Sequence, residues 1–396
     1  MSAKIAVRPV WSQPRFAIGL LALAGVIWGV VFMRQHQTTP SQQHLEAGIA
    51  YDHQGQHDAA CREWQEAVRL NTNNSTAWRL LGYTYISEDR WSDATEAFRQ
   101  LLRLNPSEPD IYTSLATCTL RTNDFTAAKG YAQEAVKHNP NDVAALAIAV
   151  YCSPALGDQA ERLDYLRRLV KLRPDDKDYL LMLAYPLTSK LAFAEARPLV
   201  EHILALDPQN AQAYALRGYI RFTETPSPQS LKEAEADLRR SLELNPLDAF
   251  ALFQLGRVYK QKSLPAKAIP LLEKATHLAP NQHQMYYELA EAYQQVGNVK
   301  LAAVARKRFT TLRDQKDRES QLVKRVIAFP NDFDSNLECG LFLLEKGDLH
   351  KARVCLDKAQ QLRPDDIRAK AAFQKLRVLT GGSERMSQPT LPGSGS

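Results

Sequence analysis

Catalytic signatures are what this sequence most plainly lacks. No glycine-rich loop runs into a Lys-Ser or Lys-Thr pair, so the backbone cradle of a nucleotide phosphate is missing. There is no Cys-x-x-Cys, no His-Glu-x-x-His and no Gly-x-Ser-x-Gly, which excludes the common redox, zinc-hydrolase and serine-hydrolase arrangements. Charge of one sign is short as well. The formal net charge of +6 over 396 residues is too thin for a nucleic-acid binder by charge alone. Cysteine is sparse: Cys61, Cys118, Cys152, Cys339 and Cys355 are neither dense nor even in number, as a secreted disulfide scaffold would require. They read as small apolar filler in helices. His53 and His57 have metal-ligand spacing for a helix, but Gly55 between them marks a turn. The chain is therefore expected to be no enzyme, to hold no cofactor or metal, and to take neither nucleic acid nor a small-molecule substrate.

Proline is present in a pattern. Pro106, Pro140, Pro174 and Pro208 fall 34 residues apart, and Pro246, Pro280, Pro330 and Pro364 follow after 38, 34, 50 and 34. A fixed period of this size marks a stacked array of small repeats. A small residue stands 24 positions before most of these prolines (Gly82, Ala116, Ala184, Gly256, Gly340), and an alanine follows 12 positions later (Ala94, Ala128, Ala196, Ala268, Ala352). The reading is that these small residues face each other and let two helices approach. Between them lies a turn, often with glycine: Gly55, Gly157, Gly297, Gly347. Apolar residues at three- and four-residue spacing, as in Trp78-Leu81-Tyr85 and Leu252-Leu255-Tyr259, give each helix one buried stripe. Proline then ends the second helix, since its preceding residue avoids the α region.

Residues 75–108 carry the pattern most fully, in Trp78, Leu81, Gly82, Tyr85, Ala94, Phe98, Leu101 and Pro106, and it resembles the tetratricopeptide repeat (TPR). The resemblance implies an all-α superhelical solenoid of antiparallel helix pairs, A and B. Nine repeats are read at 41–74, 75–108, 109–142, 143–176, 177–210, 211–248, 249–282, 283–316 and 333–366. A helical insert occupies 317–332, as part of one long helix or as a second one. A capping helix follows at 367–382 and a disordered tail at 383–396. Pro154 and Pro186 should bend or shorten the A helices of repeats four and five. The extra residues Thr225 to Ser230 should form an extended turn. Leu322, Val326 and Phe329 should support repeat nine.

One long hydrophobic run exists, Phe16 to Met33, uncharged and long enough to span a bilayer. A cleaved signal peptide is disfavoured because Ala22-Leu23-Ala24 falls in mid-run. Lys4, Arg8 and Arg15 precede the run, and after Arg34 no Lys or Arg occurs until Arg62. The positive-inside rule then places 1–15 in the cytoplasm, a transmembrane helix at 16–33, a tether at 34–40, and the repeats outside the cytoplasm, periplasmic in a bacterium. The sparse cysteines favour a reducing compartment and pull the other way. Cys339 and Cys355 fall on paired helices of one repeat and could be close.

In proteins of the resembled family the A helices line a concave face through positions 2, 5, 9, 12 and 13 of each repeat. Here that register implies a peptide-binding groove of Arg79, Tyr83, Ile86, Leu120, Tyr151, Leu181, Tyr185, Tyr219, Phe222, Phe250, Phe253, Arg257 and Tyr287. Tyrosine recurs at position 9 in four repeats, offering contact area at low entropy cost and a hydroxyl. The Lys and Asn that clamp a chaperone's terminal carboxylate in part of the family are absent: Arg79, Tyr83, Thr113 and Thr117 stand there. The expected partners are other proteins in the groove and a lipid bilayer at Phe16 to Met33. The function these features imply is a membrane-anchored scaffold in an envelope assembly, secretion or surface-polymer pathway. The alternative is a substrate-recruiting subunit of a separately encoded glycosyltransferase or protease.

Overall fold

Helix follows helix at short intervals because each amphipathic stripe is too brief to bury itself and must pair with the next. The computed structural model describes residues 38–381, apart from 154–158 and 225. Among the described residues there are 19 helices and no strand. The chain divides between Cys118 and Thr119 into two compact units. The predicted membrane segment 16–33 lies outside the described residues, as do 1–15, 34–37, Pro154 and 382–396. Among the described residues no helix is long and apolar enough to cross a membrane.

The N-terminal unit holds α1 (Pro40–His53), α2 (His57–Leu70), α3 (Ser75–Ser87), α4 (Trp91–Leu104) and most of α5 (Pro109–Arg121). Its core is Trp64, Leu81, Phe98, Leu101 and alanines between them. A β-carbon at Gly82 would lie 2.6 Å from Phe98 Cζ, and one at Gly48 2.3 Å from Trp64 Nε1. The small A-helix residue is therefore covered by a large B-helix ring sixteen positions on, and in the other unit a β-carbon at Gly256 would also lie 3.5 Å from the carbonyl of the paired Ala268. The same offset in shape recurs in the other unit, where Gly256 and Gly340 are covered by Leu272 and Leu356.

The C-terminal unit continues with α6 (Phe125–His138), α7 (Val143–Cys152), α8 (Gln159–Leu172), α9 (Lys177–Ser189), α10 (Phe193–Leu206), α11 (Ala211–Glu224), α12 (Pro228–Leu244), α13 (Ala249–Gln261), α14 (Pro265–Leu278) and α15 (His283–Gln295). It ends with α16 (Val299–Ala328), α17 (Phe333–Lys346), α18 (Leu349–Leu362) and α19 (Ile367–Gly381). Helix α7 has only 10 residues, but α9 keeps 13 in spite of Pro186, which sits in its last turn. The residues after Thr225 do not all form a turn: Ser227 caps α12 in a reciprocal bond pair with Ser230, and Pro228 opens a helix of 17 residues. Helix α16 is one uninterrupted helix of 30 residues, about 45 Å long at 1.5 Å per residue. Leu322 and Val326 on it join the core of repeat nine, whereas Phe329 is 62% exposed and gives no such support. Helix α19 lays Ala369, Ala372 and Leu376 over that core.

Helix ends follow a shared rule. Asn105, Asn139, Asp207 and Asn245 leave the α region at φ between −127° and −143°, each just before the periodic proline. Asn71 does the same before Thr72, so the stop does not require proline. The next helix starts at once on a capping side chain: Asn74, Asp142, Asp176, Asp248 and Asp332 each accept from a first-turn N–H.

Candidate functional site

Tyrosines at position 9 arrive on the A helices, and the structure gives each a ring neighbour. Phe125 and Phe193 are the first residues of B helices α6 and α10. Each meets the tyrosine 26 residues on, Phe125 with Tyr151 and Phe193 with Tyr219, at 6.2 Å between ring centroids in both cases. Tyr219 also packs edge-on against Phe250 at 5.6 Å, and Phe250 against Tyr185 at 6.4 Å. Four rings from α9, α10, α11 and α13 thus form one run, in which Tyr185, Tyr219 and Phe250 are half-buried and Phe193 is buried. Burial pushes the Tyr185 hydroxyl up to about 12, so it stays protonated as a hydrogen-bond donor. Edge-to-face pairs at such distances add ~0.5–1.5 kcal/mol beyond area burial.

Further along, the surface turns charged. Arg257 lies over the rings of Phe222 and Phe253, at 4.8 and 5.7 Å, and its Nε is 3.3 Å from Glu288. Lys260 Nζ donates to Glu288 and, at 2.6 Å, to Glu291. Burial pushes the Lys260 ammonium down, but the two carboxylates outweigh it and hold it above its usual range. Lys260 and the Tyr287 hydroxyl hold the Glu291 carboxyl below its usual range. Tyr287 is exposed, with its ring 5.4 Å from Phe309. Next to this stretch α16 borders a cleft of about 570 Å³ lined by His283, Arg308, Lys316, Phe342 and Glu345, among others.

The predicted groove set separates into three groups. Tyr151, Tyr185, Tyr219, Phe222, Phe250, Arg257 and Tyr287 present some surface in the C-terminal unit. Arg79, Tyr83 and Ile86 do so in the N-terminal unit, where Arg79 pairs with Glu108 and Tyr83 stands edge-on to Phe98 at 5.2 Å. Leu120, Leu181 and Phe253 are corrections. They are buried, with 2%, 8% and 6% of their surface exposed, and so offer a ligand almost no face. Among the described residues no cluster of His, Cys, Asp and Glu could hold a metal, and His57 is instead 2.9 Å from Asp52.

Profiles described as tetratricopeptide repeat match the sequence at residues 85–150, at 45–109, 229–283 and 253–308, and at 334–366. The chain carries tetratricopeptide repeats. No curated protein matches it. Solved structures do. A TPR protein from Parabacteroides merdae is 14% identical with a TM-score of 0.45, over 60% of this chain and 93% of that one. PilW, a widely conserved type IV pilus biogenesis factor, is 20% identical with a TM-score of 0.41, over 51% and 92%. A human IFIT1 dimer with m7Gppp-AAAA is 18% identical with a TM-score of 0.39, over 88% and 83%.

Laid out in TPR register, Phe125 and Phe193 share position 17 with Trp91. That recurrence was readable by aligning the repeats, and it marks the rings that complete the site. Phe309 carried no such signal, since it lies in the repeat whose B helix runs on. Phe125 has a second neighbour that no register announces: its ring stands edge-on to His350 of α18, at 4.0 Å between centroids.

Proposed function

We propose that this TPR chain is a non-catalytic scaffold that binds extended or helical peptide segments of partner proteins. The run Tyr185–Phe250–Tyr219–Phe193 carries the reading, because it offers contiguous aromatic area and hydroxyl donors across successive A helices. The charged stretch at Arg257, Lys260 and Glu291 would receive a polar end of the same segment. We further propose that residues 16–33 anchor the chain and that the repeats lie outside the cytoplasm, which would suit envelope assembly, secretion or surface-polymer work. The flanking Lys4, Arg8 and Arg15 support that orientation.

The test begins with capture of partners by residues 38–381, followed by titration of the bound segment as a synthetic peptide. Tyr219→Ser and Tyr151→Ser should each lower peptide affinity by at least about fivefold, the ~1 kcal/mol that separates contributing residues from background. Unchanged affinity in Tyr219→Ser, with its circular dichroism intact, would remove the aromatic run from the binding surface, and unchanged affinity in Tyr151→Ser would remove the separate Phe125–Tyr151 pair.

A further inference from the structure

Cys339 lies on α17 and Cys355 on α18, the paired helices of repeat nine. Both side chains are wholly buried. Their sulfurs are 3.3 Å apart, with the Cys355 thiol donating toward Cys339 Sγ. Ordinary helix packing, with axes 8–10 Å apart, tends to keep facing Cα atoms beyond the ~7 Å reach of a disulfide. Gly340 relieves this here. A β-carbon built on it would lie 2.6 Å from Leu356 Cδ2 and 3.3 Å from Cys355 Cβ, so α18 passes against bare backbone beside Cys339. The sulfurs need approach by only about 1.2 Å to reach the covalent length of ~2.05 Å, a displacement within the range of a small χ1 adjustment.

We propose that Cys339 and Cys355 are a cross-linking site, oxidised by a small-molecule disulfide or a thiol–disulfide oxidoreductase to a bond that ties α17 to α18. The hydrogen bond from Cys355 holds the Cys339 thiol below its usual range, while the same bond and burial push Cys355 up. Once the repeat opens, that hydrogen bond is lost and either thiol can start the exchange, Cys339 for example. Its thiolate attacks one sulfur of the incoming disulfide and expels the other half as a thiolate. Cys355 then gives up its proton, attacks Cys339 Sγ in the mixed disulfide and expels the second half. Two protein thiols are oxidised, one external disulfide is reduced to two thiols, and the protons released pass to those thiols.

Burial means that no reagent reaches the sulfurs while the repeat is closed. Only α19 follows repeat nine among the described helices, and end repeats of a stacked array open most readily. Oxidation thus proceeds through local opening, and its product then restrains that opening. A closed loop of this size restricts the open state by roughly a hundredfold.

The experiment treats the full-length reduced protein with oxidised glutathione, with urea graded below the unfolding midpoint to populate local opening. Free thiols are then trapped with N-ethylmaleimide and the product is read by intact mass and peptide mapping. Two of the five thiols should disappear together, leaving a cross-linked peptide that joins residues 339 and 355 and no retained glutathione. Amide exchange in α17 and α18 should slow roughly a hundredfold and recover on reduction. Cys339→Ser should leave glutathione bound on Cys355 or leave it unreacted. Five alkylated thiols, stable glutathione adducts on the unsubstituted chain, or a bond between any other pair would overturn the proposal. None of these outcomes bears on the membrane anchor or the aromatic run.

Discussion

At position 15 of the seven repeats in which that residue is described, the backbone is left-handed whatever residue stands there. Gly55, Gly297 and Gly347 take φ of 74°, 78° and 84°, but Asp89, Asn123, Leu191 and Ser263 take 57° to 59°. Glycine in the sequence announced some of these turns; the others were hidden, because the A–B connection imposes the angle on any side chain. Leu191 is the costly case, since left-handed geometry costs a non-glycine residue ~1–2 kcal/mol and its side chain is 57% exposed. Leu191→Gly should stabilise the protein by about 0.5–1 kcal/mol after the entropy of the freer unfolded chain is subtracted, measured as a higher urea midpoint. Asp357 is a second single-residue case. Burial foremost, against the opposing Arg353, raises its carboxyl to about 6. The folded chain then binds this proton more tightly than the unfolded chain, so stability from this group is greatest below pH 4 and is lost as pH rises through 6. Asp357→Asn should raise the melting midpoint at pH 8 and leave it unchanged at pH 4. An equal rise at both would show that packing, not charge, is responsible.

Between one helix and the next, most of the architecture was legible because the proline period, the apolar stripe and the capping Asn or Asp all point to the same boundaries. What faced what was less so. A glycine at position 8 says that something comes close, without saying whether it is an alanine or a ring, and the answer is Phe98 over Gly82. Gly82→Ala should therefore cost ~1–3 kcal/mol by overpacking, because Phe98 is buried and Tyr83 stands against it. Hydrogen exchange should speed up in α3 and α4 and remain as before in α13 and α14, since an array's stability is a sum of local terms. Uniform acceleration throughout would contradict that. The unbroken α16 was undecidable from sequence for a plain reason: its polar middle suits an exposed helix and a soft joint equally well. The carbonyls just before the A helices show a regularity that residue types only suggested. Trp78, Tyr112, Tyr214 and Asn336 each donate to the carbonyl six residues earlier, at 2.9, 3.0, 3.3 and 3.1 Å.

For the molecule as a whole, the register carried over from the resembled family located the exposed tyrosines but could not separate them from Leu120, Leu181 and Phe253. A fixed list of positions ignores how each helix is rotated about its own axis. Side-chain exposure now divides the set by expected behaviour. Tyr287→Ser, at an exposed ring, should leave the unfolding free energy within ~0.5 kcal/mol of unchanged, whereas Phe253→Ala, in the core, should cost ~3–5 kcal/mol. Equal losses would mean that exposure does not sort these positions. The proposed topology has its own check. Protease added to sealed spheroplasts should remove the repeats and spare the first fifteen residues, and full protection of the repeats would reverse the assignment.

The edge-to-face pair of Phe125 and His350 joins residues more than two hundred positions apart within the C-terminal unit. Growth from neighbour to neighbour builds the contacts between adjacent helices quickly and cannot build this one. The entropy of closing so long a segment is met only after the intervening helices have formed. Refolding therefore ends in a separate, slower encounter. Until it is complete, the start of α6 and the outer face of α18 are open to the corresponding surfaces of another copy, so the yield of single chains should fall as refolding concentration rises.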